Sequence, residues 1–313
     1  GYADLNPELS ISLADTSSVH VQAYTEEYLV HMNDVTEQCG IKPLSGELIS
    51  NLVMPIIASH GPVGVFDFGS RSEGAFSTSE ISMCSMLVDQ MAYSLENIRL
   101  VNELSRSRDA VIRGMALLAE IRDSHIGGHL NRICAYSGYL AERLLNRPGY
   151  EEVTPVFIDT IIRSAALHDV GKVGIPDAIL LKPGKLTSAE FEVMKSHTTM
   201  GAELLAGLIK DYGEYEMISM GVEMAIGHHE RWNGSGYPHG VSGSDIPLSA
   251  RILSICDVYD ALTSRRVYKE AWSTAETARN IRENSGTQFD PKLVEIFLYD
   301  SEALANIQAK YPD

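Results

Sequence analysis

The sequence predicts an α+β chain: a strand-rich N-terminal part, a long connecting helix and an all-α C-terminal bundle. Three observations carry this. Residues 1–80 hold short apolar runs of strand length separated by turn residues. Apolar residues at Met83, Leu87, Met91, Leu95, Ile98 and Val101 then step by four, four, four, three and three, a helical stripe. Beyond residue 110 strand signals nearly vanish, while helix start and stop signals recur.

In order, the strand candidates are Ser10–Ala14, Val19–Tyr24, Val53–Ala58 and Val63–Phe68, the last two joined by a Ser59-His60-Gly61 turn. Phe76-Ser77-Thr78 opens the connecting helix. Its stripe resumes at Val111, Met115, Leu118 and Ile121, but polar Asn102 to Asp109 interrupts it and predicts a connector in two parts. Thr187-Ser188-Ala189-Glu190 is a capping box before a helix reaching about Ile209. Ser273 with Glu276 forms a second, closed by Gly286, and Asp290-Pro291 is an N-cap with proline at the first helical position. The domains are expected at 1–104 and 105–313.

At 44% hydrophobic and 21% charged, the 313 residues can bury sizeable cores. No run of about 18 apolar residues suggests a membrane span. Gly1 in place of Met suggests a cut or processed start with sequence missing upstream. Four scattered cysteines (Cys39, Cys84, Cys134, Cys256) read as reduced and packed, as in a cytoplasmic protein. The net charge of −17 argues against coating a nucleic-acid polymer, though bound metal ions would let a small anionic substrate approach.

Chemistry concentrates in the second part. Seven of the ten histidines lie between His125 and His239, and all but His239 stand where a ligand would. His125 and His129 are four apart; His168-Asp169 ends an apolar helix, Phe157–Leu167; His197 follows the first capping box; His228-His229 ends another helix; Asp257 lies inside a fourth. Side chains converging from several helices are how bundles build metal sites. Imidazole suits transition metals, and guanidinium or ammonium groups such as Arg265, Arg266 and Lys269 suit phosphate.

The run His168-Asp169-Val170-Gly171-Lys172, with His228-His229-Glu230-Arg231-Trp232-Asn233-Gly234-Ser235-Gly236-Tyr237-Pro238, Leu181–Thr187 and Asp257–Ser264 in matching order, resembles the HD-GYP branch of the HD superfamily of metal-dependent phosphohydrolases. The resemblance covers about residues 105–300. Residues 51–104 resemble the C-terminal half of a GAF domain, a small α/β sensory fold. The implied architecture is a GAF-like sensory or dimerisation domain, a connector helix and an HD-type bundle.

The implied activity is hydrolysis of the bacterial second messenger cyclic di-GMP to linear pGpG or GMP, with two or three transition-metal ions, iron or manganese. His129, His168, Asp169 and Asp257 match the superfamily's metal positions; His197, His228 and His229 match the branch's additional histidines. Lys172 matches a lysine beside the scissile phosphate, so Asp169 and Lys172 are the expected catalytic pair, while Tyr237, Arg266 and Lys269, with Gly236 in their loop, match substrate-holding positions. His125 stands where relatives present a glutamate that holds a third ion, Val267 replaces a proline and Asn233 an aspartate. Implied partners are the cyclic dinucleotide, a second copy of the chain through the GAF-like domain and connector, and signalling proteins at the Gly-Tyr-Pro loop. Two other readings stay open: an HD hydrolase of another, mixed cyclic nucleotide, and a non-catalytic, metal-loaded receptor.

Overall fold

A computed structural model of the protein describes residues 12–35, 48–122, 128–264 and 271–312. Its chain divides into two compact units, residues 1–107 and 108–313.

The first unit holds helix α1 (Val19–Glu26) and strands β1 (Val30–Met32), β2 (Ser50–Ala58) and β3 (Gly61–Ser70), an antiparallel sheet in that order. Strand alternation sends Leu52, Met54 and Ile56 to one face, where they bury Val88 and Ala92 of α2 (Thr78–Arg122). Val53 faces the other way and packs with Met32, Val19 and Ala23. Gly61, at φ +116°, supplies the turn between β2 and β3.

Two expectations for this unit need correction. Val19–Tyr24 is helical, not a strand. Val19, Val21 and Ala23 alternate, but Val19 and Ala23 are also four apart, which places both on the helix face that meets the sheet. In Ser10–Ala14, residues 12–14 are irregular or turn and the first two lie outside the described residues. The connector is likewise not in two parts: α2 runs unbroken for 45 residues. The polar run at 102–109 contains no glycine or proline, and Arg99 bonds both Glu96 and Glu103, one helical turn to either side.

In the second unit, α3 (His129–Leu144) packs on α4 (Pro155–Ser164) and α9 (Leu248–Thr263), and α7 (His197–Tyr212) on α8 (Glu216–Gly227). A single core joins them; Tyr136, Tyr259 and Phe297 meet edge-to-face within it, the last from α11 (Pro291–Phe297). Helices α5 (Asp177–Leu180), α6 (Ser188–Lys195), α10 (Thr274–Glu283) and α12 (Ser301–Lys310) complete the unit. Both capping boxes form, at Thr187–Glu190 and Ser273–Glu276, and Asp290 caps α11. The helix from Thr187 does not reach Ile209 unbroken. It stops at Ser196 and restarts as α7, because the hydroxyls of Ser196 and Thr198 donate to the Val193 and Lys195 carbonyls in competition with the helical ladder. No helix among the described residues is long and apolar enough to cross a membrane.

Candidate metal centre

The apolar helix α4 continues into a single 3-10 turn, Ala165–Leu167, all buried. That burial carries His168 into the interior, where its side chain is fully covered. Asp169 follows, then a second 3-10 turn, Val170–Gly174, holding Lys172. Gly171 is required there: a Cβ on it would meet the His197 carbonyl oxygen at 1.9 Å. The absence of a side chain lets the start of α7 press against the turn and set His197 beside Asp169. The C-terminus of α8 delivers His228 and His229, and α9 delivers Asp257.

These side chains form two donor sets. His197, His228 and His229 bring one ligand atom each within 4.8 Å of one another, and His129, His168 and Asp257 do the same. Asp169 lies between the sets. Its Oδ2 is 3.3 Å from His168 Nε2, and its Oδ1 is 3.4 Å from His197 Nε2 and 3.8 Å from His228 Nε2. Lys172 Nζ approaches Oδ2 to 2.7 Å. A cavity of about 270 Å³ opens over the second set and is lined by His129, His168, Asp169, Lys172, His229 and Asp257, among others.

The donor set fits metal ions on its own chemistry. His168 Nε2, Asp169 Oδ1, His197 Nε2 and His228 Nε2 are all buried without a hydrogen-bond partner, a costly arrangement for four neighbouring polar atoms unless something else binds them. The other ring nitrogens are engaged: Nδ1 of His168 donates to Ala165 O (2.8 Å), that of His197 to Met194 O (2.7 Å) and that of His228 to Met224 O (2.9 Å). Each bond fixes the tautomer and turns an Nε2 lone pair toward the centre. His129 Nδ1 is held instead by the Asp260 carboxylate at 2.7 Å.

The electrostatics differ across the centre. Burial pushes the His197 imidazole down and that of His228 down to about 4; it also drives His229 well below its ordinary value, with His228 adding to the effect. Burial acts on His168 in the same direction, but Asp169, Asp257 and the Ala165 carbonyl together outweigh it and raise that histidine to about 9. Burial would raise Asp169, yet Lys172 and His168 together hold it well below the usual carboxylate range.

Of the expected site residues, the structure brings His129, His168, Asp169, Lys172, His197, His228, His229 and Asp257 together. Tyr237 stacks on His229 with ring centroids 4.8 Å apart. Gly236 acts sterically, since a Cβ there would lie 2.5 Å from Glu230 Cα and block the turn. That turn contains a cis Tyr237–Pro238 peptide and is held by buried Glu230, whose Oε1 accepts from the His239 and Gly240 amides. His125, Arg266 and Lys269 lie outside the described residues. Cys256 is a core residue with no exposure.

Three residues went unread in the sequence. Asp260, 1% exposed, braces His129 and is itself held by Arg132 through Nε (2.5 Å) and Nη2 (3.1 Å). A signal for it existed: a second acidic residue, one turn after Asp257, in a largely apolar stretch of α9. Arg132 stands one turn after His129 in the same way. Glu120 of α2 lines the cavity with both carboxylate oxygens shielded from solvent, and nothing in its local pattern marks it.

Comparison with known proteins agrees with this geometry. Residues 114–293, more than half the chain, match the family described as HD domain. Among curated proteins, a Vibrio cholerae cyclic di-GMP phosphodiesterase is 45% identical over 76% of this chain and 48% of its own length. A probable cyclic di-GMP phosphodiesterase of the same organism is 46% identical over 73% of this chain and 52% of its own length. Its 3'3'-cGAMP-specific phosphodiesterase 2 is 37% identical over 70% and 40%. The chain thus spans about half the length of the curated relatives it matches. With the paired histidines, the shared aspartate and the Gly-Tyr-Pro turn in place, the chain belongs to the HD-domain family, in its HD-GYP branch.

Proposed function

We propose that this chain is a metal-dependent phosphodiesterase that hydrolyses cyclic di-GMP to linear pGpG, GMP or both. The observation that carries the reading is the Asp169 carboxylate, one oxygen toward each of two histidine-containing donor sets, in which Nε2 of His168, His197 and His228 is buried and orphaned. His129, His168 and Asp257 would hold one ion, His197, His228 and His229 a second, with Asp169 common to both. Iron or manganese suits such imidazole and carboxylate donors. Bound there, the ions would supply a nucleophile at neutral pH and neutralise charge on the phosphoryl oxygens.

The chain's own groups do the rest. Lys172 places its ammonium at the cavity wall beside Asp169, where it would stabilise charge developing on a phosphoryl oxygen. Tyr237, backed by His229, would hold substrate beside the centre. Arg266 and Lys269 are assigned to the phosphates by their chemistry and place in the sequence alone, and His125 to a third ion on the same ground. The N-terminal domain, a GAF-like unit over 1–104, would regulate the phosphodiesterase domain over 105–313. Exposure of Met83, Leu87 and Ile98 along α2 supports a homodimer through that helix. The Gly-Tyr-Pro loop would receive signalling partners, and the setting would be the cytoplasm.

The test is to load the purified chain with iron or manganese, incubate it separately with cyclic di-GMP and 3'3'-cGAMP, and resolve the products by chromatography. Release of pGpG or GMP supports the reading. Hydrolysis of the mixed dinucleotide alone supports the second reading, which the cGAMP-specific relative favours. Metal uptake with no hydrolysis would leave a receptor.

A further inference from the structure

A line of rings leads out of the metal centre. His228 and His229 lie 4.0 Å apart, His229 stacks on Tyr237 at 4.8 Å, and Tyr237 meets the edge of Phe191 at 6.3 Å. Exposure rises along it, from 3% at His228 to 44% at Phe191. Helix α6, which carries Phe191, buries none of its residues, so this ring is not spent on the core. Lys195, one turn later, stands over both outer rings, 5.1 Å from the Phe191 centroid and 5.4 Å from that of Tyr237.

An exposed aromatic ring with a cation over it, continuous with a metal-ligand wall, suits a flat, π-faced group joined to an anion. Bases stack on such rings whatever their sequence, because every base presents a π-face. Lys195, itself held by the Glu192 carboxylate at 2.7 Å, keeps the two outer rings in place.

We propose that Phe191, with Tyr237 and Lys195, forms a purine subsite that receives one base of the cyclic dinucleotide while its phosphate lies at the metal centre. This rests on the phosphodiesterase reading above. It makes Phe191 a substrate-binding residue that neither the donor geometry nor the sequence motifs required. A stacking platform reads a ring face, not its edge, so this subsite accepts guanine and adenine alike; selection between them lies elsewhere.

The experiment compares the metal-loaded parent with Phe191→Ala and Phe191→Tyr, using cyclic di-GMP and the ring-free, purine-free diester glycerophosphoethanolamine, with the products resolved by chromatography. Loss of one base-stacking contact corresponds to a change of about ten-fold. Phe191→Ala should therefore raise KM for cyclic di-GMP about ten-fold and leave kcat/KM for the purine-free diester within about two-fold. Metal content should be unchanged, and Phe191→Tyr should restore the parent KM. Unchanged KM for the dinucleotide in Phe191→Ala would overturn the subsite and leave the phosphodiesterase reading intact. An equal fall on both substrates, or lost metal, would show Phe191 to be structural and overturn it too. A parent active on the purine-free diester but on no cyclic dinucleotide would overturn both readings.

Discussion

The two halves of the metal centre are oriented by different means. In the imidazole half, His197 and His228 are aimed by backbone carbonyls three and four residues earlier, at Met194 and Met224. Any helix or turn that places the histidine also supplies its acceptor. In the carboxylate half, His129 is aimed by Asp260, 131 residues away, and Asp260 is fixed by Arg132. That brace exists only once α3 and α9 have packed. The first half is therefore built by local structure and the second by tertiary structure, and Asp169 couples them. His168 is the exception within the second half, since its Nδ1 donates to Ala165, only three residues back.

The largest expected effect comes from removing what the halves have in common. Asp169→Ala should reduce cyclic di-GMP turnover to background and lower metal content in both sets, measured by product chromatography and elemental analysis of one sample. Loss from a single set would mean that the halves are independent.

Next is Arg132→Met. Arg132 and the Asp260 side chain are each 2% exposed, and stripping the guanidinium from a buried carboxylate costs about 3–5 kcal/mol. Urea unfolding of the metal-free protein should show a loss of that size. A loss under about 1 kcal/mol would show that the brace does not stabilise the fold.

A smaller effect separates the halves directly. Asp260→Asn keeps the shape but weakens the acceptor behind His129, and altering such a partner of a ligating histidine costs about 10–100-fold in metal affinity. Calorimetric titration with manganese should show one site weakened by that factor and the other unchanged. Equal weakening of both would erase the distinction drawn here.

The smallest effect is a pH dependence, and the halves contribute opposite signs. His197, His228 and His229 are pushed down, so between about pH 4 and 6.5 the unfolded chain binds more protons than the folded one. They remove stability as pH falls through that window. His168 is raised to about 9, so its contribution is fully present below about pH 6.5 and is lost as pH rises toward 9. The melting temperature of the metal-free chain should peak near pH 6.5 and fall on both sides. Metal loading should abolish the alkaline decline, because a ligating His168 carries no proton at Nε2. A monotonic rise from pH 6 to 9 in the metal-free chain would contradict the sign given to His168.

The same contrast explains what could be read in the sequence. His168-Asp169 and His228-His229 stood out because short-range pattern positions them, and both capping boxes formed for the same reason. The roles of Asp260, Arg132 and Glu120 went unread because they depend on which helices meet. In the first unit, alternation at Val19–Tyr24 suggested a strand, whereas burial of Val19 and Ala23 against the sheet produced a helix. The connector broke the pattern rule the other way. A polar stretch ends an apolar stripe, but without glycine or proline it does not end a helix.

The proposed metal centre depends on Asp169 joining two ion sites. Crystals of the manganese-loaded chain, with anomalous diffraction recorded at the manganese edge, test it most directly. At least two anomalous peaks are expected, one among His197, His228 and His229 and one among His129, His168 and Asp257, with the Asp169 carboxylate contacting both. A single peak, or Asp169 bound only to Lys172 in protein that hydrolyses cyclic di-GMP at full rate, would contradict it.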